Sequence, residues 1–138
     1  VVEISKQSGL GWTTLSVDDA SGTPRDLRND ITNLQWAMPR GVQDITGIDK
    51  SAYERLLLLA DFSITLNIVA NFATNAAHDV FKTVSSTSVN RTTSIGIGGK
   101  TLANEVLFTD YPLQRSNSGE LTAAIPGVLA DGTVPTWG

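Results

Sequence analysis

Apolar and polar residues alternate most cleanly at residues 62–69, where Phe62, Ile64, Leu66 and Ile68 interleave with Ser63, Thr65, Asn67 and Val69. A sheet with one buried face writes this period of two. The same rhythm marks a strand over 12–17 and another over 31–38, the latter with Leu34, Trp36 and Met38 on one face and Asn33, Gln35 and Ala37 on the other. Between them, Asp19, Gly22 and Pro24 carry turn chemistry. Two further strands are expected over 88–97 and 101–111, joined by Gly98-Gly99, a strong hairpin signal. Residues 113–115 and 120–125 suggest a second hairpin over 116–119. The period changes to a helical one only at 74–84, where Ala77, Val80, Phe81 and Val84 form one apolar stripe and Asn71, Thr74 or Asn75 offers a cap.

Two stretches break the rhythm. Residues 39–49, with Pro39, Gly41 and Gly47, read as a long loop of mixed polarity, and such loops in compact domains tend to carry function. Residues 52–59 fit a helix or a strand equally. The ends differ again: 1–11 and 127–138 are rich in turn formers and read as extended arms around a β core over 12–126, the whole forming one domain. The expected fold class is therefore mainly β, antiparallel, with one short helix.

Composition narrows the functions available. The chain has 138 residues, 41% of them hydrophobic and only 17% charged. A low charge content leaves room for large surfaces that partner subunits cover. The net charge is −4, and its lysines and arginines are scattered singly. Counterion release from a phosphate backbone needs clustered cations, so stable nucleic-acid binding is not expected. Cysteine is absent, which removes disulfides, thiolate nucleophiles and cysteine-ligated metals. The apolar run at 56–60 is far too short to cross a bilayer as a helix, and neither a membrane anchor nor a signal peptide is expected.

The candidate chemistry dissolves on inspection. Gly99-Lys100-Thr101 imitates the end of a phosphate-binding loop, but Ser94 stands where that motif needs glycine, and no helix follows. His78, the single histidine, neighbours Asp79 on the predicted helix, where successive side chains point about 100° apart. Packing or capping suits it better than catalysis. Asp18-Asp19 reads as turn formation, because adjacent carboxylates do not make a calcium loop. Asn90-Arg91-Thr92 lies inside a predicted strand. Trp36 belongs to a core face, while Trp12 and Trp137 invite either sugar stacking or, for Trp137, anchoring into a neighbour. No catalytic residue, metal site or cofactor site emerges, so neither an enzyme nor a cofactor is expected.

The order of these segments resembles a known family. A strand ending at Pro39 is followed by Asp44-Ile45-Thr46-Gly47, residues 54–59, and Asp61-Phe62-Ser63-Ile64-Thr65-Leu66-Asn67. Then come Ala77-His78-Asp79-Val80-Phe81, Glu105-Val106-Leu107-Phe108-Thr109-Asp110-Tyr111 and Ser118-Gly119-Glu120-Leu121-Thr122. In this order they resemble the tail tube (major tail) proteins of long-tailed bacteriophages. The resemblance implies an antiparallel β-sandwich or barrel of two sheets flanked by one helix. It also implies hexameric rings stacked into a hollow tube around a tape-measure protein, with tail-end proteins as further partners. DNA would pass through transiently, in a virion assembled from protein made in the bacterial host cytoplasm.

Contacts between copies are expected on the irregular loop and the arms: Pro39, Arg40, Val42, Asp44, Ile45 and Ile48, with Leu129, Pro135 and Trp137. A head-decoration or other virion protein is the main alternative, and a carbohydrate-binding β-sandwich a weaker one.

Overall fold

Among the described residues, 6–138 in this computed structural model, ten strands and one short helix follow one another. The strands are β1 (Thr14–Asp18), β2 (Pro24–Asp26), β3 (Ile31–Ala37), β4 (Arg40–Asp44), β5 (Arg55–Ala60) and β6 (Ser63–Val69). The helix α1 (Ala77–Phe81) precedes β7 (Arg91–Ile97), β8 (Lys100–Phe108), β9 (Leu113–Arg115) and β10 (Leu121–Leu129). The part of the expected arm over 1–5 lies outside the described residues.

Eight strands form one antiparallel sheet in the order β2-β1-β7-β8-β10-β6-β3, with β9 beside β10, and β4-β5 form a separate two-stranded sheet. The margins of the large sheet are β2 and β3, yet only residues 27–30 connect them. So short a link spans at most about 17 Å. The sheet must therefore curl until its margins meet, and Trp12 and Trp36 close the seam edge-to-face at 5.9 Å. Leu27, fully buried, plugs this corner, and its carbonyl accepts from the N–H groups of Asp30 and Ile31.

Inside the curl, alternate residues pack as the period of two requires: Leu15 and Val17, Ile64, Leu66 and Ile68, Leu102 and Val106, Ala123 and Ile125. The helix covers the open end with Ala77, Val80 and Phe81, and Phe81 meets Phe108 edge-to-face at 5.3 Å. The expected class, a mainly antiparallel β sandwich or barrel with one short helix, matches this architecture.

Local chemistry fixes the turns. Gly98 and Gly99 both adopt left-handed φ, 62° and 77°, and join Ile97 to Lys100 in a two-residue hairpin. At Gly127 a Cβ would stand 2.6 Å from Val106 Cγ1 and 3.0 Å from Ile64 Cγ2, so only glycine lets β10 pass that close.

Three expectations are corrected. The helix is shorter than 74–84, because Asn75 is left-handed at φ 63° and Ala76 is extended. No side chain at Ala76 caps it. The buried Asp30 does so from across the fold, accepting from the Ala77 N–H at 3.0 Å and from Asn71 Nδ2 at 2.6 Å. The supposed loop over 39–49 contains a strand, β4, whose partner is the ambiguous stretch that became β5.

The arm expected from 127 begins later, since β10 continues through Pro126 to Leu129. Pro126 is tolerated mid-sheet because its missing N–H falls in the gap where β9 pairing has ended and β8 pairing begins. The remaining residues do not hang free. Trp137 bridges Leu102, Gly138 exchanges backbone hydrogen bonds of 2.8 and 3.0 Å with Thr101, and Trp137 packs on Trp36 at 6.2 Å. The tail thus covers the part of β8 that β10 leaves unpaired.

Candidate functional site

The β4-β5 hairpin has the pattern least explained by folding of one chain. Every residue of β4 is exposed, as are all of β5 but Ala60. Register pairs Val42 with Leu57, Gln43 with Leu56 and Asp44 with Arg55, so strand alternation sends Val42 and Leu57 to one face and Leu56 and Leu58 to the other. Exposure is 52% and 57% on the first face, 50% and 42% on the second. Leu59, 91% exposed, sits where the register shifts. A continuous apolar run is the mark of a strand buried on both faces. Here neither face is covered.

The tip, 45–54, mixes the exposed Ile45, Ile48 and Tyr53 with the charged Asp49, Lys50 and Glu54, and it is well tied. Asp44 Oδ1 accepts from the Thr46 N–H at 2.9 Å and the Thr46 hydroxyl at 2.6 Å, and the Ile45 N–H donates to the Glu54 carbonyl. The Thr46 hydroxyl, and after it the Thr46 N–H, holds the Asp44 carboxyl below the ordinary carboxylate value. Thr46 Oγ1 accepts from the Glu54 N–H at 2.8 Å, and the Arg55 guanidinium stacks 4.7 Å over the Tyr53 ring. At the base, Arg40 Nε donates to the Leu58 carbonyl. These bonds tie the ribbon at its tip and base.

The structure brings most of the anticipated contact residues together. Arg40, Val42 and Asp44 lie on β4, with Ile45 and Ile48 at the tip, all exposed, and Pro39 accepts the Asp61 N–H at the hairpin base. Leu129 stands apart: it ends β10, donates to the Phe62 carbonyl and packs against the core. Pro135 and Trp137 belong to the docked tail, so Trp137 has a seat in its own chain, contrary to expectation. The tail approaches the hairpin through Val134, which shares a groove of about 630 Å³ with Arg40, Leu57, Leu58, Leu59 and Ala60. Sequence reasoning missed Leu56, Leu57, Leu58 and Leu59, although their unbroken run was the available signal.

The remaining singled-out residues take structural places. His78 packs between Phe72 and Tyr111, its Nδ1 3.1 Å from the Tyr111 hydroxyl. Burial pushes the Tyr111 hydroxyl above its ordinary value. Asp19 ties its turn by accepting from the N–H groups of Ser21 and Thr23 and pairs with Arg25. The three tryptophans converge, Trp12 edge-to-face on Trp36 and Trp137 tilted against it. Arg91, almost fully buried, donates to the Asp18 carbonyl and the Thr83 hydroxyl, locking β1 to the segment after α1, and burial draws its guanidinium below the ordinary value. Among the described residues, no three His, Asp or Glu side chains cluster as a metal would require.

Neither a family model nor a curated protein matches the sequence. The fold does recur among solved structures. A chain from the virion of a native gene transfer agent particle aligns at a TM-score of 0.72 and 14% identity, over 95% of this chain and 99% of that one. A chain from the tail of an empty gene transfer agent particle, described with C6 symmetry, aligns at 0.67 and 16% identity, over 91% and 96%. At such identities the likeness is one of fold.

Proposed function

We propose that this chain is a structural subunit that assembles with copies of itself into rings stacked as the hollow tail tube of a phage-like particle. The observation that carries the reading is the hairpin with leucines bare on both faces. An isolated two-stranded ribbon is marginal in water, and one with apolar residues on both sides calls for cover. Burying a half-exposed leucine stabilises by roughly 1 kcal/mol, so Leu56 to Leu59, spread over both faces, together supply about 4 kcal/mol before the entropic cost of association. Each face is therefore weak as a single contact, and assembly gains strength when each subunit is held by several neighbours.

The shared fold with chains of a gene transfer agent virion and of a tail with C6 symmetry supports rings of six. The chemistry of the ends supports protein over lipid as the cover. To enter a bilayer the hairpin would have to drag Asp44, Asp49, Lys50 and Glu54 across it. The net charge of −4 suits a conduit that lets DNA slide, since an acidic wall does not hold phosphate. In this reading the subunit is not an enzyme, and a tape-measure protein and tail-end proteins are its further partners.

Sedimentation velocity over a dilution series tests this reading. The expected result is a concentration-dependent step from monomer to very large species, weakened by Leu57→Ser. A monomer at every concentration contradicts it.

A further inference from the structure

The outer face of the large sheet carries a hollow of about 430 Å³ where β3, β6, β10 and the start of β9 meet. Strand alternation turns Ile68 and Ala123 into the core and leaves Asn67, Thr122 and Ala124 facing out. Register sets Asn33, Asn67 and Ala124 in one row across three strands, with Thr122 and Gln114 in the next. Thr32, the extra residue where the register shifts between Ile31 and Asn33, joins the rim. Ala124 is the small member of the first row, and Pro112, just before β9, walls the hollow.

The chemistry of this lining is narrow. None of its residues is ionisable, so a phosphate, carboxylate or ammonium group would leave water there without a counter-charge. Hydrogen-bonding capacity is high instead. Each carboxamide of Asn33, Asn67 and Gln114 offers an acceptor oxygen and two N–H donors, and the Thr122 hydroxyl both donates and accepts. Among the described residues, the only side-chain hydrogen bond within this lining runs from Thr32 Oγ1 to the Asn67 carbonyl at 3.2 Å, which leaves the carboxamides available. The adjacent acceptor and donor of a carboxamide match neighbouring hydroxyls on a sugar ring, which also accept and donate. Pro112 and Ala124 supply apolar contacts for ring C–H groups. Two rows over three strands spread these groups across about 10 Å by about 7 Å, the footprint of two linked hexose rings. We propose that the hollow is a binding site for a neutral saccharide, two hexose units held through Asn33, Asn67 and Gln114. It lies on the opposite face of the sheet from Trp36, and it does not depend on assembly of copies.

Saturation-transfer NMR on the full chain tests this, with maltose, cellobiose and lactose as probes and lactobionate as an anionic control. The expected result is transfer to at least one disaccharide, saturating on the order of 1 mM, with roughly tenfold weaker binding in Asn67→Leu and in Gln114→Leu. No transfer to lactobionate is expected. Both side chains lie outside the core, and unchanged thermal unfolding checks that the variants fold; Gln114→Leu, on the short β9, carries the test if Asn67→Leu does not fold. Binding unchanged in the variants places the sugar elsewhere and overturns the site. Equal transfer to lactobionate overturns the selection for neutral ligands. No transfer to any of the disaccharides overturns the proposal outright. A chain that assembles without binding sugar fails this inference alone, whereas one that binds sugar without assembling fails only the proposed function.

Discussion

Asp30 shows how far a single side chain reaches in this fold. Its two carboxylate oxygens hold the Ala77 N–H and Asn71 Nδ2, so one residue at the corner between β2 and β3 starts the helix 47 positions later. Asp30→Ala leaves the buried Ala77 N–H without its partner, at a cost of about 1–3 kcal/mol, and releases the half-buried Asn71 amide; thermal unfolding should show a clear drop in Tm, and an unchanged Tm would refute the cap. Gly127 is as local and as strict. Gly127→Ala forces a Cβ into Val106, Ile64 and Phe108, and overpacking of this kind costs about 1–3 kcal/mol, measurable by denaturant unfolding.

Asp18 makes a prediction of the opposite sign. Burial, with smaller help from the nearby Glu105 and Asp19 charges, raises its carboxyl above the ordinary value of 3.8. A raised carboxyl favours the folded state only while protonated, so this contribution is lost as pH rises from the unfolded pKa through the folded one. Asp18→Asn should therefore raise Tm at pH 7 and lose that advantage near pH 3. A lower Tm at pH 7 would show the carboxylate to be stabilising.

At the scale of elements, what the sequence revealed depended on how each segment is buried. β6 was legible because one face is buried and one is not, and the hairpin of β7 and β8 because Gly98-Gly99 permits a left-handed turn. β4 was not, since Pro39 and Gly41 imitate a loop and its strand character depends on pairing with β5. The run over Leu56 to Leu59 carried no period at all, because both of its faces are apolar. The tail was misread for a related reason: its turn formers describe the backbone well, but its docking on β8 and Trp36 depends on contacts distant in sequence. Removing residues 130–138 should uncover Leu102 and the Trp36 face while leaving β10 whole. The expected outcome is a folded but less stable monomer with altered tryptophan fluorescence, whereas an unchanged spectrum would contradict the docked tail.

At the scale of the whole molecule, two parts divide the work. The curled sheet with its helix buries its own apolar face and needs no partner. The hairpin is tied at tip and base yet leaves its leucines in water, and the proposed assembly with other copies rests on that exposure. Negative-stain microscopy of the purified wild-type chain at high concentration tests this division most directly. The account predicts stacked annular rings or hollow tubes; a field of separate monomers, or amorphous clumps without annular order, would contradict it.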